Sequence, residues 1–247
     1  MDVGAGNVVK PSEPTILMSS LRAGYRALVI GTSGGIGTAF TEILRQDPSC
    51  GEIVPLSRSR DGLDIIDEES IAFHARRLEE KPIHLLLCAT GILTVDGSAP
   101  EKALKQINPD IMLAQFRVNA IGPALGAKHF LPLLQRGNRS IAAFLSARVG
   151  SIGDNRLGGW ISYRASKAAL NQIVRTASIE LRRTNPGAVL AAVHPGTVET
   201  SLSAPYSKGH KTVSPELAAT NILQTLNDLP AERSGGFVAY DGRDIVW

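Results

Sequence analysis

Ala27-Leu28-Val29-Ile30-Gly31-Thr32-Ser33-Gly34-Gly35-Ile36-Gly37 is an apolar run of strand length that breaks into a glycine-rich turn and enters a helical stripe of Ile36, Phe40, Ile43 and Leu44. Glycines at a strand-to-helix junction let the backbone turn tightly and leave amides bare at the helix N-terminus, where the dipole favours negative charge. Such a turn suits a pyrophosphate. A turn made flexible for packing alone does not explain why the whole first βα unit fits.

Outward from this unit, short aliphatic runs alternate with helical stretches. Candidate strands are Ala27 to Ile30, Ile53 to Leu56, Ile83 to Cys88, Ser140 to Leu145, Val189 to His194 and Gly236 to Tyr240. Leu113, Phe116, Ala120 and Leu125 suggest a second helical stripe. Several strands are apolar throughout rather than alternating, as expected of a parallel sheet covered on both faces. The fold class is therefore α/β: a single-domain Rossmann fold with a doubly wound, mostly parallel sheet flanked by helices. Residues 1–20 mix Gly, Pro and Ser without a period and read as a loosely ordered leader, with the domain over 21–247. Asp2 sits where a secretory signal needs positive charge, which leaves a transit peptide as the alternative to a plain leader.

The 247 residues are 43% hydrophobic and 20% charged, an ordinary globular balance. No apolar run reaches the roughly 18 residues of a membrane span. Cys50 and Cys88 are too few for a disulfide framework, so they read as structural thiols in a reducing, cytoplasmic setting. A net charge of +3 without a basic-aromatic cluster argues against nucleic acid and leaves a small phosphate-bearing ligand. His74, His84, His129, His194 and His210 lack ligand spacing, so no metal is expected. No Gly-x-Ser-x-Gly elbow is present for hydrolase chemistry. Ser201 to Ser214 suits a mobile lid or simply a loop.

About 20 residues beyond a dinucleotide glycine turn, an acid usually binds the ribose 2′-hydroxyl. This chain has Ser57-Arg58-Ser59-Arg60 there and no acid before Asp61. Guanidinium and hydroxyls suit a 2′-phosphate, so NADP is favoured over NAD; a solvated basic loop is the bland alternative. Farther on, Tyr163 and Lys167 lie one turn apart at the head of a stripe of Leu170, Ile173, Val174, Ala177 and Leu181. A lysine on an inward stripe is expected to draw the phenol's pKa down and make Tyr163 a general acid or base.

Together, Gly31-x-x-x-Gly35-Ile36-Gly37, Asp64-Ile65, Gly91, Asn119, Tyr163-x-x-x-Lys167 and Pro195-Gly196-Thr197 resemble the short-chain dehydrogenase/reductase family from about Arg26 to the C-terminus. Ser146-Ala-Arg-Val-Gly150 and Asp154 to Gly159 look most like its C-factor and sniffer-like carbonyl reductase branch. The resemblance implies that Tyr163 moves the proton, that Lys167 holds the nicotinamide ribose, that Asn119 supports a water-linked relay, and that Asp64 and Ile65 contact the adenine. It also implies cofactor contacts from Gly31, Ser33, Gly34, Gly35, Ile36 and Gly37, from Ser57 and Arg58, from Ala89, Thr90 and Gly91, and from Pro195, Gly196, Thr197 and Val198. The activity implied is hydride transfer between NADP, or NAD, and a small carbonyl or secondary alcohol, in a homodimer or homotetramer. The alternatives are a C-factor-like signalling or interaction protein with little turnover, and a dehydratase or epimerase.

Three positions depart from the family's pattern. Cys88-Ala89-Thr90-Gly91 stands where most members have Asn-Asn-Ala-Gly, and Ile30 where many have Thr. The family's Ser-x-x-Gly spacing, counted back from Gly150, reaches Ala147. The nearest hydroxyl, Ser146, is one residue early and needs a bulge to face the same way; Ser151 is the other candidate.

Overall fold

The structure, a computed structural model, describes residues 16–207, 209 and 211–247. Strands β1 (Tyr25–Ile30), β2 (Cys50–Leu56), β3 (Leu85–Cys88), β4 (Ser140–Leu145), β5 (Ala188–His194) and β6 (Gly236–Ala239) form one sheet in the order β2-β1-β3-β4-β5-β6. Every ladder in it is parallel. The helices are α1 (Gly35–Gln46), α2 (Arg58–Asp61), α3 (Glu68–Arg76), α4 (Pro109–Phe116), α5 (Gly122–Phe130), α6 (Ile161–Thr184) and α7 (Pro215–Asp228).

The all-apolar strands serve two layers at once. Leu28, Leu86, Ala142 and Leu190 pack against Ile71 of α3, Phe130 of α5 and Leu170 and Val174 of α6. Their neighbours Val29, Leu87, Ala143 and Ala191 pack on the other face against Phe40 and Leu44 of α1 and Ile222 and Leu223 of α7. Fully burying each large apolar side chain contributes about 1.5–3 kcal/mol, so both faces must be covered for these strands to be worth their hydrophobicity. The chain goes from β1 to β2 on one side and places β3 on the other. Ile30 and Cys88 therefore end side by side at the switch point, where a crevice opens beyond the carboxyl ends.

Three expectations change. β3 begins at Leu85 rather than Ile83, because His84 Nδ1 accepts the Arg26 N–H at 3.0 Å in place of a ladder bond. The stripe through Leu113 and Phe116 is rotated: Leu113 is 49% exposed, while Gln115, Asn119 and Ala120 are buried. A π-helical turn at Arg117–Ile121, between α4 and α5, also breaks the 3.6-residue period between Phe116 and Leu125 with its wider winding. Residues 16–20, expected in the loose leader, are packed: Met18 is fully buried and its N–H donates to Asp47 Oδ2 at 3.0 Å. The leader and targeting readings for residues 1–15 lie outside the described residues, as do Lys208 and His210.

Candidate active site

The glycine turn is shaped by close approaches. Gly31 has φ +91°, and a Cβ there would lie 2.9 Å from the Ala89 carbonyl oxygen of the neighbouring strand end. A Cβ on Gly37 would lie 2.2 Å from the Gly31 oxygen, so only glycine lets the first turn of α1 rest on the loop. Gly34, the residue before α1, offers no side-chain cap and the first turn holds no acid. The amides there are left for an anion, with Ser33, Gly34 and Gly35 exposed beside them. Thr200 crosses above Gly35, and Val198 pairs with Val213, which brings Pro195, Gly196 and Thr197 along the same crevice.

At the end of β2, Ser57 is not a free hydroxyl. It caps α2, accepting from the Arg60 N–H at 3.3 Å and donating to Asp61 Oδ2 at 3.1 Å. Arg58 and Arg60 are exposed at the head of this short helix. Asp64 Oδ1 accepts from the Ile66 N–H at 3.1 Å. Ile65 is buried against Gly122, where a Cβ would come 2.7 Å from its carbonyl oxygen.

Tyr163 and Lys167 sit on the buried face of α6. Lys167 Nζ donates to the Leu145 carbonyl at the end of β4 (2.9 Å) and lies 6.0 Å from the Tyr163 ring centroid. Asn119, inside the π-turn, accepts from the Ile92 N–H at 2.8 Å and donates to the Ile92 carbonyl and to Ser166 Oγ. A Cβ on Gly91 would meet Lys167 Nζ at 3.3 Å and Asn119 Oδ1 at 3.4 Å, so the lysine and the asparagine converge on one glycine. Cys88 is buried and 3.4 Å from Thr90 Oγ1; the family's amides are absent there.

Burial lowers the Lys167 pKa to about 8, with the nearby Cys88 thiol opposing the shift. Burial likewise raises Tyr163 above the ordinary phenol value, opposite to the lowering expected from its lysine neighbour. The lysine's donor is aimed at Leu145, and desolvation of the phenolate dominates. His194 is pushed down to about 4 by burial and the Arg148 charge, so it is neutral, and its Nδ1 has no partner.

The two candidate serines are committed elsewhere. Ser146 continues the strand parity of Ala142 and Phe144 and donates to Asn171 Oδ1 at 2.6 Å, two helical turns beyond Tyr163. Ser151 bonds the Val246 carbonyl and accepts from the Asp154 N–H. Ala147, extended at φ −148° and ψ 145°, follows without a bulge.

Sequence reasoning missed Glu101 and Trp160. Glu101 is buried, accepts from the Ser162 hydroxyl and N–H, and receives the Trp160 N–H on its own carbonyl. Nothing in Ala99-Pro100-Glu101-Lys102 distinguishes this acid from a solvated one. Trp160 follows Gly158-Gly159, and that pair was a signal for an unusual backbone. A separate groove of about 570 Å³ between α5 and α6, lined in part by Lys128, Gln172 and Thr176, touches none of these groups.

Comparison with known proteins agrees with this geometry. The family model described as enoyl-(acyl carrier protein) reductase matches residues 60–231. The chain belongs to the short-chain dehydrogenase/reductase family. It is thus an NAD(P)-dependent oxidoreductase. Over 188 residues it is 31% identical to 1-hydroxy-2-glutathionyl-2-methyl-3-butene dehydrogenase of Rhodococcus sp. (strain AD45), covering 75% of this chain and 79% of that one. It is 34% identical over 145 residues to the C-signal of Myxococcus xanthus, 59% of this chain and 84% of the other. The NADPH-bound carbonyl reductase from chicken fatty liver superposes with a TM-score of 0.78 at 26% identity, over 93% of this chain and 96% of that one. The Drosophila melanogaster carbonyl reductase Sniffer shares the fold, with a TM-score of 0.76 at 22% identity over 92% and 100% of the two chains. Among the described residues, no helix of this short-chain dehydrogenase/reductase is long and apolar enough to cross a membrane.

The lysine makes a prediction about stability. Between about 8 and its ordinary value of about 10.4, the unfolded chain binds more protons at Lys167 than the folded chain does, so its contribution to stability rises with pH across that window. Lys167→Met is therefore expected to be more stable than wild type at pH 7, by a margin that shrinks above about pH 8. Urea denaturation at a series of pH values measures it; a pH-independent margin would contradict the depressed pKa.

Proposed function

We propose that this protein is an NADP-preferring reductase of small carbonyl compounds, with Tyr163 moving the proton. The observation that carries the reading is the convergence of Lys167 and Asn119 on Gly91, beside Tyr163, at the switch point that also bears the bare amides of α1. A nicotinamide bound in that crevice supplies or accepts hydride.

What the chain's own groups do follows from their environment. Tyr163 is protonated near neutrality and so is in the form that donates to a carbonyl oxygen as charge develops there, while the burial that raises its pKa makes it a weaker acid. The reverse reaction needs the phenolate, so alcohol oxidation calls for higher pH. Lys167, lowered to about 8 and still mostly protonated at neutral pH, can bind a ribose hydroxyl and replace the proton that Tyr163 gives up. Asn119 is held by three hydrogen bonds and keeps the π-turn open toward this corner, as a relay requires. Asp64 and Ile65 flank the adenine end, and Arg58 is free to pair with a 2′-phosphate. The C-signal likeness supports a second reading, a dinucleotide-binding signalling protein with little turnover.

Consumption of NADPH with a panel of aldehydes, ketones and quinones separates the two. At least one carbonyl is expected to be reduced, and Tyr163→Phe to lower turnover at least about 100-fold with NADPH affinity retained. No consumption across the panel favours the signalling reading, and undiminished turnover in the variant removes Tyr163 from the chemistry.

Arg58→Ala is expected to weaken NADPH binding by about 1.5–3 kcal/mol and to leave NADH almost untouched, as measured by titration of both cofactors. Equal losses would assign Arg58 to a solvated loop.

Since Ser146 serves Asn171, the second donor to the carbonyl oxygen is missing at Ala147. A donor aimed at a developing oxyanion is worth about 2.7–4 kcal/mol where it is native. Ala147→Ser is expected to raise kcat on a responsive carbonyl, and Ser146→Ala to lower it only mildly. A strong loss in Ser146→Ala would restore Ser146 as the donor.

A further inference from the structure

Trp160 has a left-handed backbone, φ 54° and ψ 42°, which among the described non-glycine residues only Asp96 shares in sign. Gly158 and Gly159 before it are left-handed too, at φ 63° and 64°, where glycine is at ease. A bulky residue held there costs about 1–3 kcal/mol and persists only when its surroundings over-determine it. Here they do. The Trp160 N–H donates to the Glu101 carbonyl at 2.5 Å, and its own carbonyl accepts from the Arg164 N–H at 2.8 Å. The Arg164 guanidinium takes the Gly159 carbonyl at 2.9 Å and the Gly158 carbonyl at 3.1 Å. Buried Glu101 ties the same turn to Ser162.

Trp160 is also the N-cap of α6, and it brings no side-chain oxygen to that position. Asn tolerates a left-handed backbone better than tryptophan, and the Ser162 N–H of the first turn is already taken by Glu101, so stability alone does not select tryptophan. What the indole contributes is its place between two rings. It meets Tyr163 edge-on at 6.2 Å and Tyr206, in the segment between β5 and α7, edge-on at 5.3 Å. Neither Trp160 nor Tyr206 belongs to the apolar clusters that pack on the sheet, and both remain half-buried.

We infer that Trp160 is a specificity-determining residue of this site, and that with Tyr206 it forms a wall selecting carbonyls carried on a flat aromatic or conjugated group. The inference rests on the carbonyl-reductase reading above. A planar substrate whose carbonyl oxygen reaches Tyr163 lies beside the half-exposed indole, where edge-on or offset contact between rings adds attraction beyond area burial. A saturated ring of the same size buries similar area without that contribution.

The test compares benzaldehyde with cyclohexanecarbaldehyde, in the full chain with NADPH, for wild type, Trp160→Asn, Trp160→Phe and Tyr206→Leu. The ratio of kcat/KM values, aromatic over saturated, is expected to exceed one in wild type. It is expected to fall about 3- to 10-fold in Trp160→Asn and Tyr206→Leu, the range of an aromatic pair, and less in Trp160→Phe. The melting temperature of Trp160→Asn is expected to be no lower than that of wild type, which separates the ring's role from a structural one. Unchanged ratios, or a wild-type preference for the saturated aldehyde, would overturn the inference. Tyr206→Leu keeps the test open if the Trp160 variants fold poorly, because Tyr206 has an ordinary backbone. If neither aldehyde is reduced, the carbonyl-reductase reading fails separately, and calorimetric titration of the NADPH-loaded chain with benzyl alcohol and cyclohexylmethanol decides the wall. Preferential binding of the aromatic alcohol that is lost in Trp160→Asn sustains it, and equal binding overturns it.

Discussion

The hydrogen bond from buried Lys167 Nζ to the carbonyl of Leu145, with that between Ser146 and Asn171, joins the long helix α6 to the carboxyl end of β4, and the candidate site is arranged around this junction. Two glycines give this lysine its room. A Cβ on Gly150 would lie 2.8 Å from the Lys167 backbone, and one on Gly91 would lie 3.3 Å from its Nζ. Because α6 is pinned there, Tyr163 stands one turn earlier toward the crevice and Asn171 one turn later, where it takes the Ser146 hydroxyl. The same tether that positions the tyrosine thus draws the nearby serine away.

Several groups at the candidate site are costly to the fold. Lys167 is buried with its pKa lowered to about 8, His194 is buried neutral with an orphaned Nδ1, and Trp160 occupies a conformation that suits glycine. These costs collect at the carboxyl ends of the strands. The opposing contribution comes from farther down the sheet, where aliphatic side chains on both faces of β1, β3, β4 and β5 are fully buried. Net stabilities of folded domains are small differences between large terms, so such a site requires the two-sided core beneath it. Of these groups Lys167 is held by the sheet directly, through the Leu145 carbonyl at the end of β4.

The sheet was legible because its physics is local: apolar runs of strand length, separated by helical periods, have few other ways to bury themselves. The glycine turn and the Tyr163 and Lys167 pair were legible for the same reason, since spacing along one helix sets who shares a face. The π-turn at Arg117–Ile121 was not, because one extra residue per turn leaves no mark in composition while breaking the period on which a stripe from Leu113 to Leu125 depends. Met18 was read as part of a loose leader because its packing partner, Asp47, is distant in sequence. Glu101 was invisible for a similar reason: its role is defined by Trp160 and Ser162, some 60 residues on.

The proton inventory of the site gives it a direction. Tyr163 is a phenol protonated at neutral pH, and Lys167 is an amine whose pKa, lowered to about 8, leaves it mostly protonated there. Neither Ser146 nor Ser151 supplies a second hydroxyl to share the growing charge on a carbonyl oxygen. On the proposed reductase reading, a protonated phenol with a nearby proton reserve is better matched to reduction, which consumes a proton, than to oxidation, which must first strip the phenol.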